Sequence, residues 1–363
     1  MGFYLYTTDD YMSGLLFFAY NERFTPHSIL FTKFTQKYPM QKNLLFLILI
    51  GHITFSQTKI IDGETKYPVS YATISFGNGQ GIFADDDGTF IFTEKRYPDV
   101  DSLFISALGF KDLNLSTRNL PNIISMDAEA AKLDEIVLNV TIDRKFKEKE
   151  IEPYLDDDYY KCWLPTIESE IAIFFPNGND KLKKITSVIF PLALESRDWN
   201  KRKRANADKR PFSTLFKVKF YKNEDGFPGQ VMNTSNIVFR ATEQNGDEFE
   251  LQVAERNLFF PDDGFFVSLQ VLGYTDKNGK LLPNKKYKEI KGRSGTVKIP
   301  TNFRPLLPFT DAIEGYRTYI KRIFINGNNW VQFKTGNGIE SSLLRSNINN
   351  YGIGINYNEY KDE

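Results

Sequence analysis

The chain has 363 residues, which is enough for about two domains, and 41% of them are apolar. Basic and acidic residues number 46 each, so the formal net charge is zero. This balance argues against a domain that binds nucleic acid, which would show a basic excess. The single cysteine, Cys162, excludes an intrachain disulfide. Aromatic residues make up 15% of the chain, with 32 phenylalanines, and this enrichment favours β-sheet over helix.

Residues 40–57 have the layout of a secretory signal peptide. Lys42 supplies the positive charge, residues 44–50 form an unbroken apolar run, and Ser56 and Gln57 follow as small and polar residues. The apolar run is too short to span a bilayer comfortably, so we expect no stable membrane insertion. A buried strand or a short membrane anchor is the alternative interpretation of the same run.

Met40 is well placed to start this leader, so we expect translation to begin there and residues 1–39 to be an extension of the gene model with no domain. The protein would then be exported and would be periplasmic, outer-membrane-associated or on the cell surface. The only two histidines, His27 and His52, precede the expected cleavage point near Gln57. A mature chain without histidine cannot build a histidine-dependent zinc site or a Ser–His–Asp triad.

Residues 58–140 alternate short apolar runs with turn signals. Asp62-Gly63 and Asp87-Gly88 are turn dipeptides, and the second predicts a tight hairpin. Pro-Val-Ser-Tyr-Ala-Thr-Ile at 68–74, Asp-Asp-Gly-Thr-Phe at 86–90 and the strand at 101–110, which places Leu103 and Ile105 on one face, follow in order. With Ala-Ala-Lys-Leu-Asp-Glu-Ile-Val-Leu-Asn-Val at 130–140, this series resembles the carboxypeptidase-regulatory-like domain.

The resemblance implies a transthyretin-like β-sandwich over residues 58–140, of the kind exported by Bacteroidetes-type bacteria. That domain accompanies carboxypeptidases and does no chemistry itself, so the resemblance implies no peptidase activity. In outer-membrane receptors the same domain precedes a plug and a large β-barrel, for which this chain is too short.

The next stretch, residues 141–160, is strongly charged and predicts a linker with a short helical turn over 144–150. Strand signals then recur over residues 161–363. At 215–220 Phe216, Val218 and Phe220 alternate with lysines, which predicts one apolar and one polar face. The sequence thus predicts an all-β protein with two separately folding β-sandwich domains, the second of them jelly-roll-like.

A run at 200–210 contains six basic residues. It predicts a loop that binds an anionic polymer, and the neighbouring tryptophan could stack on a sugar ring. The alternative is a solvated loop with a core or rim aromatic. The candidate ligand-binding residues are Trp199, Lys201, Arg202, Lys203 and Arg204.

These observations favour an exported, non-enzymatic binding or scaffolding protein of the cell envelope, with a glycan or an anionic envelope polymer as its ligand. We expect no cofactor, no metal and no nucleic acid. Two alternatives remain: a carboxylate-dependent glycan hydrolase, which needs no histidine, and a structural module that docks another envelope protein by strand addition.

Overall fold

The computed structural model describes residues 57–77, 79–129, 144–155, 158–198, 208–283, 288–292, 295–299, 302–325, 327 and 329–361. The structure is nearly all β, with 47% strand and, among the described residues, one short α-helix, α1 (Ser342–Arg345). The predicted all-β class is confirmed. None of the helices in this part of the chain has the length and apolar character needed to cross a bilayer.

Residues 58–126 form the first module, in which two sheets enclose a separate core. One sheet has the order β4-β1-β7, with β1 and β7 parallel, and the other has the antiparallel order β3-β2-β5-β6. Its strands are β1 (Thr58–Asp62), β2 (Thr73–Ser75), β3 (Gly81–Phe83), β4 (Thr89–Phe90), β5 (Ser102–Ser106), β6 (Leu113–Ser116) and β7 (Ile123–Met126).

The turn at Asp87-Gly88 is confirmed, but it does not close the predicted hairpin. Gly88 has a φ of 74°, and the Asp87 carboxylate accepts from the Thr89 backbone N–H at 3.0 Å. The strand before the turn, β3, pairs with β2, and the strand after it, β4, pairs with β1. The turn therefore carries the chain from one sheet to the other. In β5, Leu103 and Ile105 are buried on one face, as predicted.

Residues 146–360 form the second module, which is built around two sheets. The large sheet has the order β13-β12-β16-β10-β20-β21, with β14 also paired to β12, and the small sheet has the order β15-β11-β23-β8.

The strands of the second module are β8 (Phe146–Ile151), β9 (Cys162–Trp163), β10 (Ser169–Phe175), β11 (Lys183–Pro191), β12 (Ser213–Glu224), β13 (Phe227–Val231), β14 (Ile237–Thr242), β15 (Glu248–Gln252), β16 (Phe265–Tyr274), β17 (Lys288–Gly292), β18 (Gly295–Ile299), β19 (Leu307–Thr310), β20 (Thr318–Arg322), β21 (Val331–Gln332), β22 (Asn350–Tyr351) and β23 (Gly354–Tyr360). Strand β19 pairs with β22 and β9, and β17 pairs with β18. Single turns of 3₁₀-helix span Thr117–Asn119, Tyr159–Lys161, Glu243–Asn245 and Ala254–Arg256.

The core of the second module includes apolar side chains from both the large and the small sheet. Phe216, Val218 and Phe220 of β12 are fully buried in it, as the alternating sequence predicts. Val188 of β11 and Ile355 of β23 contribute from the small sheet. A core shared by two sheets defines a sandwich-like arrangement.

The predicted helical turn at 144–150 is wrong, because residues 146–151 form strand β8. This strand pairs antiparallel with β23 along its whole length, from Phe146 opposite Tyr360 to Ile151 opposite Ile355. Its alternating lysines and glutamates suit an exposed edge strand as well as a linker, since charge is a common protection of sheet edges. This part of the predicted linker therefore belongs to the small sheet. The boundaries of the two domains stay predictions.

The two modules meet at a junction within one compact unit of residues 55–363. Phe83 of β3 joins the core of the second module, and its ring lies 5.4 Å from that of Phe324. The Phe324 carbonyl accepts hydrogen bonds from the Ser75 hydroxyl at 2.9 Å and from the Gly79 N–H at 3.0 Å. A Cβ at Gly81 would clash with the Phe324 ring. This close packing favours coupled unfolding over the separate folding expected from the sequence.

Candidate functional site

The outer face of the small sheet carries a row of polar side chains that crosses all four strands. The strand register places Gln252, Ser187, Asn356 and Glu150 side by side. Neighbouring residues such as Ile355 point into the core instead, because successive side chains of a strand alternate between faces. The row therefore places hydrogen-bonding side chains from all four strands on the outer face of the small sheet.

Three members of this face form a hydrogen-bond network around Ser187, which is only 1% exposed. The Ser187 hydroxyl donates to Oε1 of Glu250 at 2.6 Å. The side-chain amide of Asn356 donates to Ser187 Oγ at 3.0 Å and to Glu250 Oε1 at 3.3 Å. These contacts hold the carboxylate of Glu250 and the amide of Asn356 in place. Among the described residues, none donates to Glu250 Oε2 or to the Asn356 amide oxygen, so both atoms can accept from a ligand.

A groove of about 440 Å³ runs over this network. That volume lies within the roughly 300–1,000 Å³ of small-molecule sites. Tyr357 lies beside the groove, with its ring 5.0 Å from that of Phe260. Burial raises the pKa of Tyr357, and the nearby Glu359 carboxylate raises it further. The remaining lining residues are Glu148, Lys149, Thr186 and Asn358.

A second polar cluster lies on the face of the large sheet that points away from its core. Glu170, which is 1% exposed, accepts from the Tyr221 hydroxyl at 2.8 Å, from the Ser268 hydroxyl at 2.6 Å and from the Lys219 ammonium at 3.1 Å. Burial raises the pKa of Glu170, but Lys219 and the two hydroxyl donors outweigh it, so the net pKa is lowered. The carboxylate is therefore a buried, fully engaged anion with a structural role.

Lys217 belongs to the same face and is covered by the first module. Its ammonium donates to the Tyr71 carbonyl at 2.9 Å, and the side chain is 4% exposed. The pKa of Lys217 is lowered to about 7. Burial is the main cause and the Lys219 ammonium adds to it, whereas the Glu170 carboxylate acts in the opposite direction. Beside it, the side-chain N–H₂ of Gln270 is buried and has no hydrogen-bond partner among the described residues. The lysine face predicted from the sequence is thus buried at this position rather than solvated.

The low pKa of Lys217 predicts that stability rises with pH. The unfolded lysine has a pKa near 10.5 and the folded one about 7, so between these values the unfolded chain binds the extra proton. The free energy of unfolding should therefore increase by about 1–3 kcal/mol between pH 7 and about 9.5, and Lys217 should add no further change below pH 7, where its destabilising effect is fully present. Urea denaturation across this range would measure it. Lys217→Met should remove the rise, and an unchanged rise in that variant would contradict the assignment.

The binding residues predicted from the sequence, Trp199, Lys201, Arg202, Lys203 and Arg204, lie outside the described residues. The chain on either side of them is held together, since the Arg197 N–H donates to the Asp208 carbonyl at 2.9 Å and the Arg210 N–H donates to the Glu195 carbonyl at 2.8 Å. The anionic-polymer hypothesis for this segment stays a prediction. The signal peptide and residues 1–39 also lie outside the described part, apart from Gln57.

Two tryptophans and the cysteine are packed against neighbouring side chains or backbone, although the buried Trp163 Nε1–H has no hydrogen-bond partner among the described residues. Trp163 stacks on Phe309 at 5.8 Å, and Trp330 meets Tyr221 edge-on at 5.6 Å. The half-buried Cys162 thiol donates to the Asp158 carbonyl at 3.4 Å. No group of three or more metal-binding side chains occurs within the described ranges.

The sheets and their cores define a β-rich protein with a sandwich-like fold. No family model and no curated protein matches the chain. Among solved structures, it is similar to the cysteine protease and lectin-like domains of Cwp84, a surface layer associated protein of Clostridium difficile, at 12% identity and a TM-score of 0.30. That match covers 81% of this chain and 50% of the other, so the chain spans about half of that structure.

A second match is the clostridial cysteine protease Cwp84 after propeptide cleavage, at 11% identity and a TM-score of 0.29, covering 84% of this chain and 70% of the other. Likenesses this weak carry no argument about fold or function.

Proposed function

We propose that the protein is an exported, non-enzymatic glycan-binding protein of the cell envelope, with its binding face on the outer side of the small sheet. The export rests on the leader at 40–57, and the first module is proposed to be a carboxypeptidase-regulatory-like domain on the motifs at 58–140. The observation that carries the binding is the network in which Ser187 holds Glu250 and Asn356 while one acceptor oxygen of each points to no described donor.

A neutral glycan suits this groove better than an anionic polymer. Sugar hydroxyls both donate and accept, so they pair with carboxylate oxygens and with amides such as those of Asn356 and Gln252. Three carboxylates line the groove, from Glu148, Glu150 and Glu250, against the single ammonium of Lys149. That excess of negative charge repels a polyanion. An acidic polymer therefore remains the proposed ligand of the basic segment at 200–210 alone.

The hydrolase alternative remains because carboxylates line the groove. Glu250 and Glu150 lie on strands with two others between them, and strands are about 4.8 Å apart, so their strand axes are separated by roughly 14 Å. Inverting glycosidases hold their two carboxyl groups roughly 6.5–9.5 Å apart, and retaining ones hold them closer. The Glu250 carboxylate, however, reaches across to Asn356 on β23, the strand next to that of Glu150, so the spacing of the strands does not decide between binding and hydrolysis. An assay for cleavage products separates the two functions. Docking by strand addition at β8 is disfavoured by the alternating Lys147, Glu148, Lys149 and Glu150 along that edge.

Substitutions in the network should weaken glycan binding without unfolding the protein. Glu250→Gln removes a charged acceptor and should raise the Kd for a neutral oligosaccharide by about 10- to 100-fold, whereas Asn356→Ala should raise it about tenfold. Isothermal titration of the full chain would measure both. Glu94→Gln, an exposed residue of the first module, is the matched control. Equal affinity in all three variants, with unchanged thermal melts, would show that this face is not the site.

A further inference from the structure

A second groove, of about 550 Å³, lies at the junction of the two modules. One wall is the outer face of the sheet β3-β2-β5-β6, where the register aligns Ser75, Phe104 and Asn114 across three strands. The other wall follows β20 and includes Lys321 and Ile323. Asp112, Ile325 and Asn329 also line the groove.

Contacts between the modules hold the two walls of this groove in position. The Ser75 hydroxyl, which lines the groove, donates to the Phe324 carbonyl at 2.9 Å. Phe324 is itself fully buried, and its ring contacts that of Phe83. The groove is therefore a preformed feature of the junction, and a ligand need not order it on binding.

Opposite charges occupy the two walls. Asp112 lies at the start of β6 on the first module, and Lys321 lies on β20 of the second. Partial burial raises the pKa of Asp112, the nearby Glu129 raises it further, and Lys321 lowers it. The two groups therefore act on each other electrostatically, but in the described part of the chain they do not form an ion pair within 4.0 Å. The Lys321 ammonium lies 6.0 Å from the centre of the Trp330 ring instead.

Apolar side chains lie beside these charges. Phe104, Ile323 and Ile325 are only partly buried, so each offers hydrocarbon surface to the groove. The side chains of Asn114 and Asn329 supply amide donors and acceptors at exposed positions of the lining. A ligand that fits this lining carries an ammonium, a carboxylate and an apolar side chain, with a peptide group suited to the amides.

We propose that the junction groove binds a small zwitterion with apolar side chains, of the class of a short hydrophobic peptide with free amino and carboxyl ends. The ammonium of the ligand would pair with Asp112, supported by Glu129, and its carboxylate with Lys321. Its side chains would cover Phe104 and the two isoleucines. This site is separate from the small-sheet face and does not depend on the glycan proposal.

Leucyl-leucine is a suitable probe, and its capped forms separate the two charge contacts. Isothermal titration of the full chain should show saturable binding of leucyl-leucine. N-acetylation should weaken binding at least tenfold by removing the ammonium, and C-terminal amidation should do the same by removing the carboxylate. Failure of the uncapped dipeptide to bind at millimolar concentration, or equal binding of all three forms, would overturn the proposal.

Two substitutions then assign the contacts. Asp112→Asn should weaken leucyl-leucine at least tenfold but leave the weak binding of the N-acetylated form unchanged. Lys321→Gln should weaken leucyl-leucine at least tenfold but leave the weak binding of the C-terminally amidated form unchanged. Lys95→Gln, at an exposed position, is the control. Competition by a neutral oligosaccharide, or affinities unaffected by both substitutions, would contradict the peptide class. Because Asn356→Ala should leave dipeptide binding intact, failure here is distinguishable from failure of the glycan proposal.

Discussion

Glu170→Gln should lower the free energy of unfolding by about 3–5 kcal/mol, because it leaves the Lys219 ammonium without its carboxylate inside the protein. The hydroxyls of Tyr221 and Ser268 also lose a charged acceptor. Urea denaturation at neutral pH would measure the loss.

Glu168→Gln is the matched control for this change. Glu168 pairs with Arg322 at 3.0 Å, but the side chain of Arg322 is 48% exposed. An ion pair open to solvent contributes about 1 kcal/mol or less. Equal effects of the two substitutions would show that the Glu170 cluster is no more stabilising than a surface pair.

Phe324→Ala should lower the free energy of unfolding by about 3–5 kcal/mol and uncouple the two modules, because a fully buried phenylalanine at their junction leaves a cavity when it is truncated. Its ring contacts Phe83 of the first module, and its position is tightly matched to Gly81. Calorimetry should show one unfolding transition in the unmodified protein and an earlier, separate transition of the first module in the variant.

The control for the junction is Phe227→Ala, because Phe227 is 48% exposed although it touches Tyr319. The decrease in the free energy of unfolding should be small, because the exposed Phe227 ring buries little apolar area on folding. Two transitions in the unmodified protein would instead support the separately folding domains that the sequence predicts.

Alternation along single strands could be predicted from the sequence, because it depends only on which side chains face the same way. The apolar face of Phe216, Val218 and Phe220 is an example, and all three are in the core. Whether the opposite face of the strand is solvated or buried could not be predicted in this way. Lys217 is buried by Tyr71, which lies 146 residues earlier, so its burial depends on how two modules meet.

The candidate site could not be predicted from the sequence for a similar reason. Ser187 and Asn356 are 169 residues apart and belong to no local motif. The sequence predicts a linker at β8 because charged residues suit both a linker and an edge strand, and its partner β23 is at the other end of the module. The cue that could have helped is the alternation of lysine and glutamate at 147–150, which has the period of a strand.

One titration can distinguish the proposed glycan-binding protein from an enzyme that acts on glycans. The full chain would be titrated with a panel of neutral oligosaccharides while the same samples are analysed for cleavage products. We predict saturable binding of at least one glycan, no products, and a Kd about tenfold higher in Asn356→Ala. Accumulation of shortened glycans, or the absence of binding across the panel, would rule out a non-enzymatic glycan-binding function.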